Sequence, residues 1–158
     1  MTNFLTRLKK EGKLELVEPS TDICDSYSKK ASDCLKSAKL LLDNDLYENS
    51  IGQSYYAMYD QLQGLLFKTG IKCENHSGSI LLLKTLYGEK QFSEMISTAK
   101  KERIDKQYYV NTDEEDITKE IAKELLFKAE KFILKIRTMI NLVDNNKIKT
   151  IRKKLESL

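Results

Sequence analysis

One histidine, three cysteines and one polar run hold most of the chemistry this chain can offer. The run is Arg103-Ile104-Asp105-Lys106-Gln107-Tyr108-Tyr109. Arg103 and Lys106 are cations suited to an anionic partner and are the candidate phosphate-binding residues. Tyr108 and Tyr109 are phenols with an ordinary pKa near 10, so at pH 7 they donate hydrogen bonds and are poor bases. Turning either into a base would take a shift of about 3 units, or about 4 kcal/mol of environment. His76 has an ordinary pKa near neutrality, the value general acid–base work needs. Arg103, Tyr108 and His76 are therefore the candidates for catalysis, although no complete catalytic motif contains them.

Metal and cofactor chemistry find little support. Cys73-x-x-His76 is half of a zinc ligand set, and a structural zinc needs four ligands. Cys24 and Cys34 could complete it only if the fold brought them together. Three cysteines at irregular spacing argue against a disulfide framework and for reduced, buried thiols. Gly-rich phosphate loops, HExxH, CxxC and nucleophile elbows are absent, so no metal or cofactor is expected. Asn75-His76-Ser77-Gly78 reads first as a helix start. The acidic run 113–116 also reads as a helix start, because Thr112 and Glu115 have capping-box spacing and the acids sit at the positive end of a helix dipole. Tyr55, Tyr56 and Tyr59 lie on consecutive turns. They fit either core packing with hydroxyls at a rim or a dimer or partner interface.

The elements that must position these residues are helical. The chain has 158 residues, one proline and six glycines, and is 41% hydrophobic and 32% charged. This suits a single domain of long helices. Residues 3–11 form a short amphipathic helix ended by Gly12. Ser20 or Thr21 caps a second helix, broken at Asp43-Asn44-Asp45. A third, strongly apolar helix runs to Gly70, with Gly52, Ala57 and Gly64 as small positions for close approach. Asn75 caps a fourth, Gly88 stops it, and residues 90–100 form a short fifth. The Arg103–Tyr109 run then reads as a polar interval before a long helix ending near Val143. No alternating β pattern is visible. The expected fold is all-α, an up-and-down antiparallel bundle of four to five main helices. Residues 1–144 form the domain, and 145–158 a basic amphipathic tail. That tail holds Lys147, Lys149, Arg152, Lys153 and Lys154 against Glu156, while the whole chain nets only +3. It reads as a lightly docked helix, with partner or RNA contact as its functional options. Phe4 and Leu5 are followed at once by Arg7, Lys9 and Lys10, so no signal peptide is expected. No apolar run nears the roughly 18 residues of a membrane span. A cytoplasmic protein without a membrane partner is the expectation.

The segment GQSYYAMYDQLQGLLFKTGIKCENHSG, followed by a leucine-rich helix, resembles the HEPN domain family. Upstream, KKASDCLKSAKLLLDNDLYENSI is similar to that family's alanine-spaced helix and L-Y-E turn. Downstream, Arg103-x-Asp105-x-Gln107-Tyr108-Tyr109 and LLFKAEKFILKI match its Arg/Asp/Tyr stretch and final helix. The resemblance covers roughly residues 20–140.

It implies a helical bundle that forms a homodimer. It also implies a minimal nucleotidyltransferase as partner, often in a toxin–antitoxin pair. Active members are metal-independent ribonucleases using an Arg and a His with four to six residues between them, paired across the dimer. There His moves protons and Arg neutralises the phosphate. Here Arg103 matches the arginine, but Tyr108, Tyr109 and Val110 stand where the His would be. His76 is then a candidate substitute acid or base, with a neighbouring protomer as one source. In some such pairs the nucleotidyltransferase transfers AMP to a tyrosine near this position, which makes Tyr108 and Tyr109 candidate modification sites. The leading expectation is a nucleotidyltransferase partner that binds nucleotide or RNA. A ribonuclease toxin with an altered Arg/Tyr site and a plain dimeric interaction bundle are the alternatives.

Overall fold

The computed structural model describes the backbone of residues 2–108 and 115–158, and the side chains of residues 3–106 and 118–158. Within these residues the chain forms seven helices and one two-stranded sheet. The elements are α1 (Thr2–Lys10), β1 (Leu14–Leu16), α2 (Thr21–Asp43), α3 (Tyr47–Lys68), β2 (Ile71–Cys73), α4 (His76–Thr85), α5 (Lys90–Tyr108), α6 (Glu115–Asn141) and α7 (Asn145–Glu156).

Local chemistry sets the helix ends. Ser20 Oγ accepts from Ile23 N at 3.1 Å to start α2. Asn75 Oδ1 accepts from Gly78 N at 2.8 Å to start α4. Asp144 Oδ1 accepts from Lys147 N at 2.8 Å to start α7. Each satisfies a backbone donor the first turn leaves open. The Thr112–Glu115 capping box lies outside the described residues.

The centre of the bundle is α3, packed against α2, α4, α5 and α6. Ile51, Tyr55, Met58, Leu62, Leu65 and Leu66 are all fully buried. Ser50 Oγ donates to Ala38 O at 2.8 Å, which closes α3 onto α2. A Cβ at Gly64 would sit 3.2 Å from Cys24 O, so this glycine does serve helix contact. Gly52 does not, because its nearest neighbour would be Arg103 Cγ at 4.0 Å. On the far side Arg137 of α6 joins three helices. Its Nε donates to Gln61 Oε1 at 2.8 Å, and its Nη2 donates to Ser28 O at 3.0 Å and Ser32 Oγ at 2.6 Å.

Three expectations are corrected. First, α5 does not stop at Lys100 but continues through Tyr108, so the Arg103 run is helical as far as described. Residues 101–107 contain no helix breaker, and Ile96 and Ala99 anchor the face that leads into them. Second, a small sheet exists: Leu14 pairs with Cys73, Glu15 with Lys72 and Leu16 with Ile71, antiparallel. Three-residue strands are too short to show alternation, and their partners lie far apart in sequence.

Third, the basic tail is not lightly docked. Ile151 and Leu155 of α7 are buried in the same core as Leu5, Leu8 and Leu14. Arg152 Nη1 donates to Val17 O at 2.7 Å and Gly70 O at 2.8 Å. Gly70 has φ of 78°, and a Cβ there would collide with the Arg152 guanidinium. Lys154 Nζ donates to Leu86 O at 3.3 Å, and Lys9 Nζ donates to Leu155 O at 3.0 Å. Two of the tail cations, Arg152 and Lys154, thus serve chain carbonyls.

Arg152→Ala should lower unfolding free energy by about 1.5–3 kcal/mol, the usual worth of hydrogen bonds to a charged group. Deleting residues 145–158 should cost more, since burying two Leu/Ile side chains contributes roughly 3–6 kcal/mol. Urea denaturation followed by circular dichroism measures both. Wild-type stability in the truncated chain would show that α7 adds nothing to the core.

Candidate functional site

Helices α3, α4 and α5 bring together residues spread over about a third of the sequence. Tyr55 of α3 is completely buried, and its Oη lies 2.7 Å from His76 Nδ1 at the start of α4. One turn further along α3, the Tyr59 ring stacks on the imidazole, with centroids 3.9 Å apart and planes 8° from parallel. From α5, the Arg103 guanidinium lies over the Tyr55 and Tyr56 rings, 5.2 and 5.4 Å from their centroids. Its Nη1 is 3.4 Å from Tyr56 Oη, a long contact. Lys100, one turn earlier on α5, donates from Nζ to Ser77 Oγ at 2.6 Å. Lys106 continues the row one turn beyond Arg103.

The electrostatics follow from this crowding. Burial pushes the His76 pKa below its ordinary value, and Lys100 and then Arg103 push it further down. Burial also lowers Lys100, with Arg103 adding to it. The Tyr55 phenol is raised by burial, and next by Tyr59, while Arg103 pulls the other way. Burial pushes Tyr59 up to about 12. Tyr55 therefore stays protonated. Donating its hydrogen to His76 Nδ1 satisfies that buried hydroxyl. The neutral imidazole then carries its own proton on Nε2. In this tautomer His76 donates a hydrogen bond, and its lone pair is already engaged.

These placements revise several expectations. His76 and Arg103 belong to one cluster of one protomer, so no neighbouring chain has to supply the histidine. Tyr55 is a core residue and Tyr59 is half-covered by His76, so neither can anchor a surface contact in the way the sequence pattern allowed. Tyr56, at 37% exposed, remains accessible. With Leu41, Glu48, Gly52, Gln53 and Arg103 it lines an open cavity of about 540 Å³. Tyr108 is the last residue of α5, its side chain outside the described set, and Tyr109 lies wholly outside it. Among the described residues, no group of three or more His, Cys, Asp or Glu side chains could hold a metal. Sequence reasoning missed Lys100 and Ser77. The available signal was the three-residue spacing of Lys100 and Arg103, which puts both on one helix face.

Comparison with known proteins bears on the same residues. The HEPN domain family model matches residues 25–139, most of the chain. This chain belongs to the HEPN domain family. The HEPN match begins in α2 and ends in α6, so α1, β1 and α7 lie outside it. A Thermotoga maritima protein, named only "UPF0332 protein", is 28% identical over 125 residues, covering 75% of this chain and 91% of its own. A Methanocaldococcus jannaschii protein named "Putative toxin MJ0605" is 27% identical over 112 residues, covering 68% and 81% respectively. No helix among the described residues is long and apolar enough to cross a membrane.

His76 is the only histidine, so its ring signals are unambiguous in an NMR titration. Its midpoint should lie below the ordinary value of about 6.5 and rise in Lys100→Ala or Arg103→Ala. An unmoved midpoint in both variants would show that these cations do not face the ring. The sign for stability is fixed by the same shift. As pH falls, the unfolded chain takes the proton first, because the folded pKa is the lower one. Stability from this group is full above about 6.5 and declines as pH drops through that value toward the folded midpoint. His76→Gln should flatten this dependence in denaturation curves taken across that range.

Proposed function

We propose that this HEPN-family chain is the non-nucleotidyltransferase half of a toxin–antitoxin-like pair, and that its α4–α5 surface binds the phosphates of RNA. The observation that carries this reading is the convergence of Lys100, Arg103 and the His76-Ser77 start of α4. Two cations on one face repel each other, and burial adds to the cost. A bound anion would relieve both. The Ser77 hydroxyl and the Nε2–H of His76 add neutral donors of the kind phosphate oxygens accept. The M. jannaschii relative's name supports a toxin-like role. The resemblance to nucleotidyltransferase-linked members supports that partner and a homodimer. AMP placed on Tyr108 or Tyr109 would add negative charge near the end of α5, where it competes with RNA for the same cations.

Cleavage of the bound RNA is the second reading, favoured by His76 and Arg103 sharing one protomer. Against it stands the hydrogen bond from Tyr55, which occupies the lone pair a general base would use. Binding without cleavage is the better match to that geometry.

Fluorescence anisotropy with a short single-stranded RNA tests this proposal. Arg103→Ala should weaken binding about tenfold and reduce the slope of log affinity against log salt by roughly 0.7. Equal binding by wild type and variant would remove the site from the reading. RNA products that disappear in His76→Ala would favour the ribonuclease. A chain that stays monomeric and captures no nucleotidyltransferase on co-expression would discard the paired module.

A further inference from the structure

Beside the cationic cluster, α1, α4 and α5 enclose an open groove of about 350 Å³. It has two chemically different sides. Phe4 of α1 with Ile80 and Leu81 of α4 provide apolar surface. Ser77, Ser97 and Lys100 provide donors, and Lys84 adds a second cation. Lys100 Nζ and Ser77 Oγ are 2.6 Å apart, so one anionic oxygen near them can reach both. Lys84 stands in the last turn of α4, seven residues after Ser77, which is about 10 Å along the helix. A cation at each end, with an aromatic and aliphatic wall between, is the pattern that takes one unit of a single nucleic acid strand.

The groove is not wholly a product of the HEPN match, since Phe4 comes from α1, ahead of residue 25. Its presence depends on α1 lying directly on the start of α4. Leu5 and Leu8 are buried there, and a Cβ at Gly78 would come within 2.5 Å of Leu8 Cδ1. Gly78 thus lets α1 close one wall of the groove while His76 and Ser77, one turn of chemistry away, face the cations of α5.

We infer that this groove is a subsite for a single nucleotide, its phosphate held by Lys100 and Ser77 and its base laid on Phe4 and Leu81. The inference rests on the phosphate-binding reading of Lys100 and Arg103 and extends it by naming where the base goes. Glu94 at the rim is an acceptor for an exocyclic amine, so cytidine, adenosine and guanosine nucleotides should bind better than uridine nucleotides.

Calorimetric titration of the full chain with AMP, CMP, GMP, UMP and inorganic phosphate tests the inference. Mononucleotides bearing an amine should bind at least tenfold tighter than phosphate alone. Ser97 is exposed on α5, so Ser97→Trp fills the groove from a position that tolerates a large side chain. Ser97→Trp and Phe4→Ala should bring mononucleotide affinity down to the phosphate level. In the unaltered protein, amide shifts on adding CMP should concentrate at Ser77, Leu81 and Ser97. Wild-type nucleotide affinity in Ser97→Trp, or amide shifts confined to other regions, overturns the subsite. RNA binding that fails in Arg103→Ala but persists unchanged in Ser97→Trp keeps the RNA surface and discards the groove. Mononucleotide binding blocked by Ser97→Trp, with no RNA binding by wild type, keeps the groove and discards the RNA surface.

Discussion

A helix buried along most of its length must find a partner for each polar atom it buries, and α3 sets this constraint for the whole molecule. Its buried polar residues turn to neighbouring helices. Gln61 Nε2 donates to Ser28 Oγ at 2.9 Å and receives Arg137 on its carbonyl. Gln63 Nε2 donates to Ser79 Oγ at 2.9 Å. Ser50 reaches the backbone of α2, and Tyr55 reaches His76. Ser54 Oγ is the exception, buried without a hydrogen-bond partner. Each pairing fixes the rotation of a neighbouring helix, because a buried group left unpaired costs about 1–3 kcal/mol. The positions of α2, α4 and α6 around α3 are in that sense dictated by polar satisfaction as much as by apolar packing.

The functional cluster is a consequence of the same rule. Tyr55 faces inward because it lies on the apolar stripe of α3, and its hydroxyl then needs an acceptor. His76, at the capped start of α4, supplies it. The stacked rings of Tyr55, Tyr59 and His76 make a flat, partly covered platform, and Arg103 settles on its other edge. Burial lowers the imidazole and the Lys100 ammonium together, so the region holds positive charge reluctantly and has reason to bind an anion. Site and core share residues here, and the phenol that orients the histidine is itself part of the packing.

Much of the architecture was legible beforehand, and the gaps have physical causes. Helix starts at Ser20 and Asn75 could be read because capping is a local interaction among four residues. The long apolar helix could be read because its period repeats for six turns. The end of α5 could not, since Lys101 to Gln107 carry too few apolar residues to show a helical period. The sheet was hidden because LEL and IKC pair across more than fifty residues. In the tail, Arg152 looked like one more solvated cation, and only the carbonyls of Val17 and Gly70 give it a structural role.

What the sequence by itself determined is what local chemistry and period control: an all-helical chain, most of its boundaries, the inward face of each helix, and the HEPN order of motifs. Tertiary structure alone decided which distant groups meet. His76 and Arg103 stand on successive helices, 27 residues apart in sequence, yet one buried phenol links them. Ile151 and Leu155 look like the apolar edge of a surface helix, yet they complete the core beside α1. No pattern along a chain encodes such pairings directly, because they arise when whole helices rotate to bury apolar faces and pair their buried polar atoms.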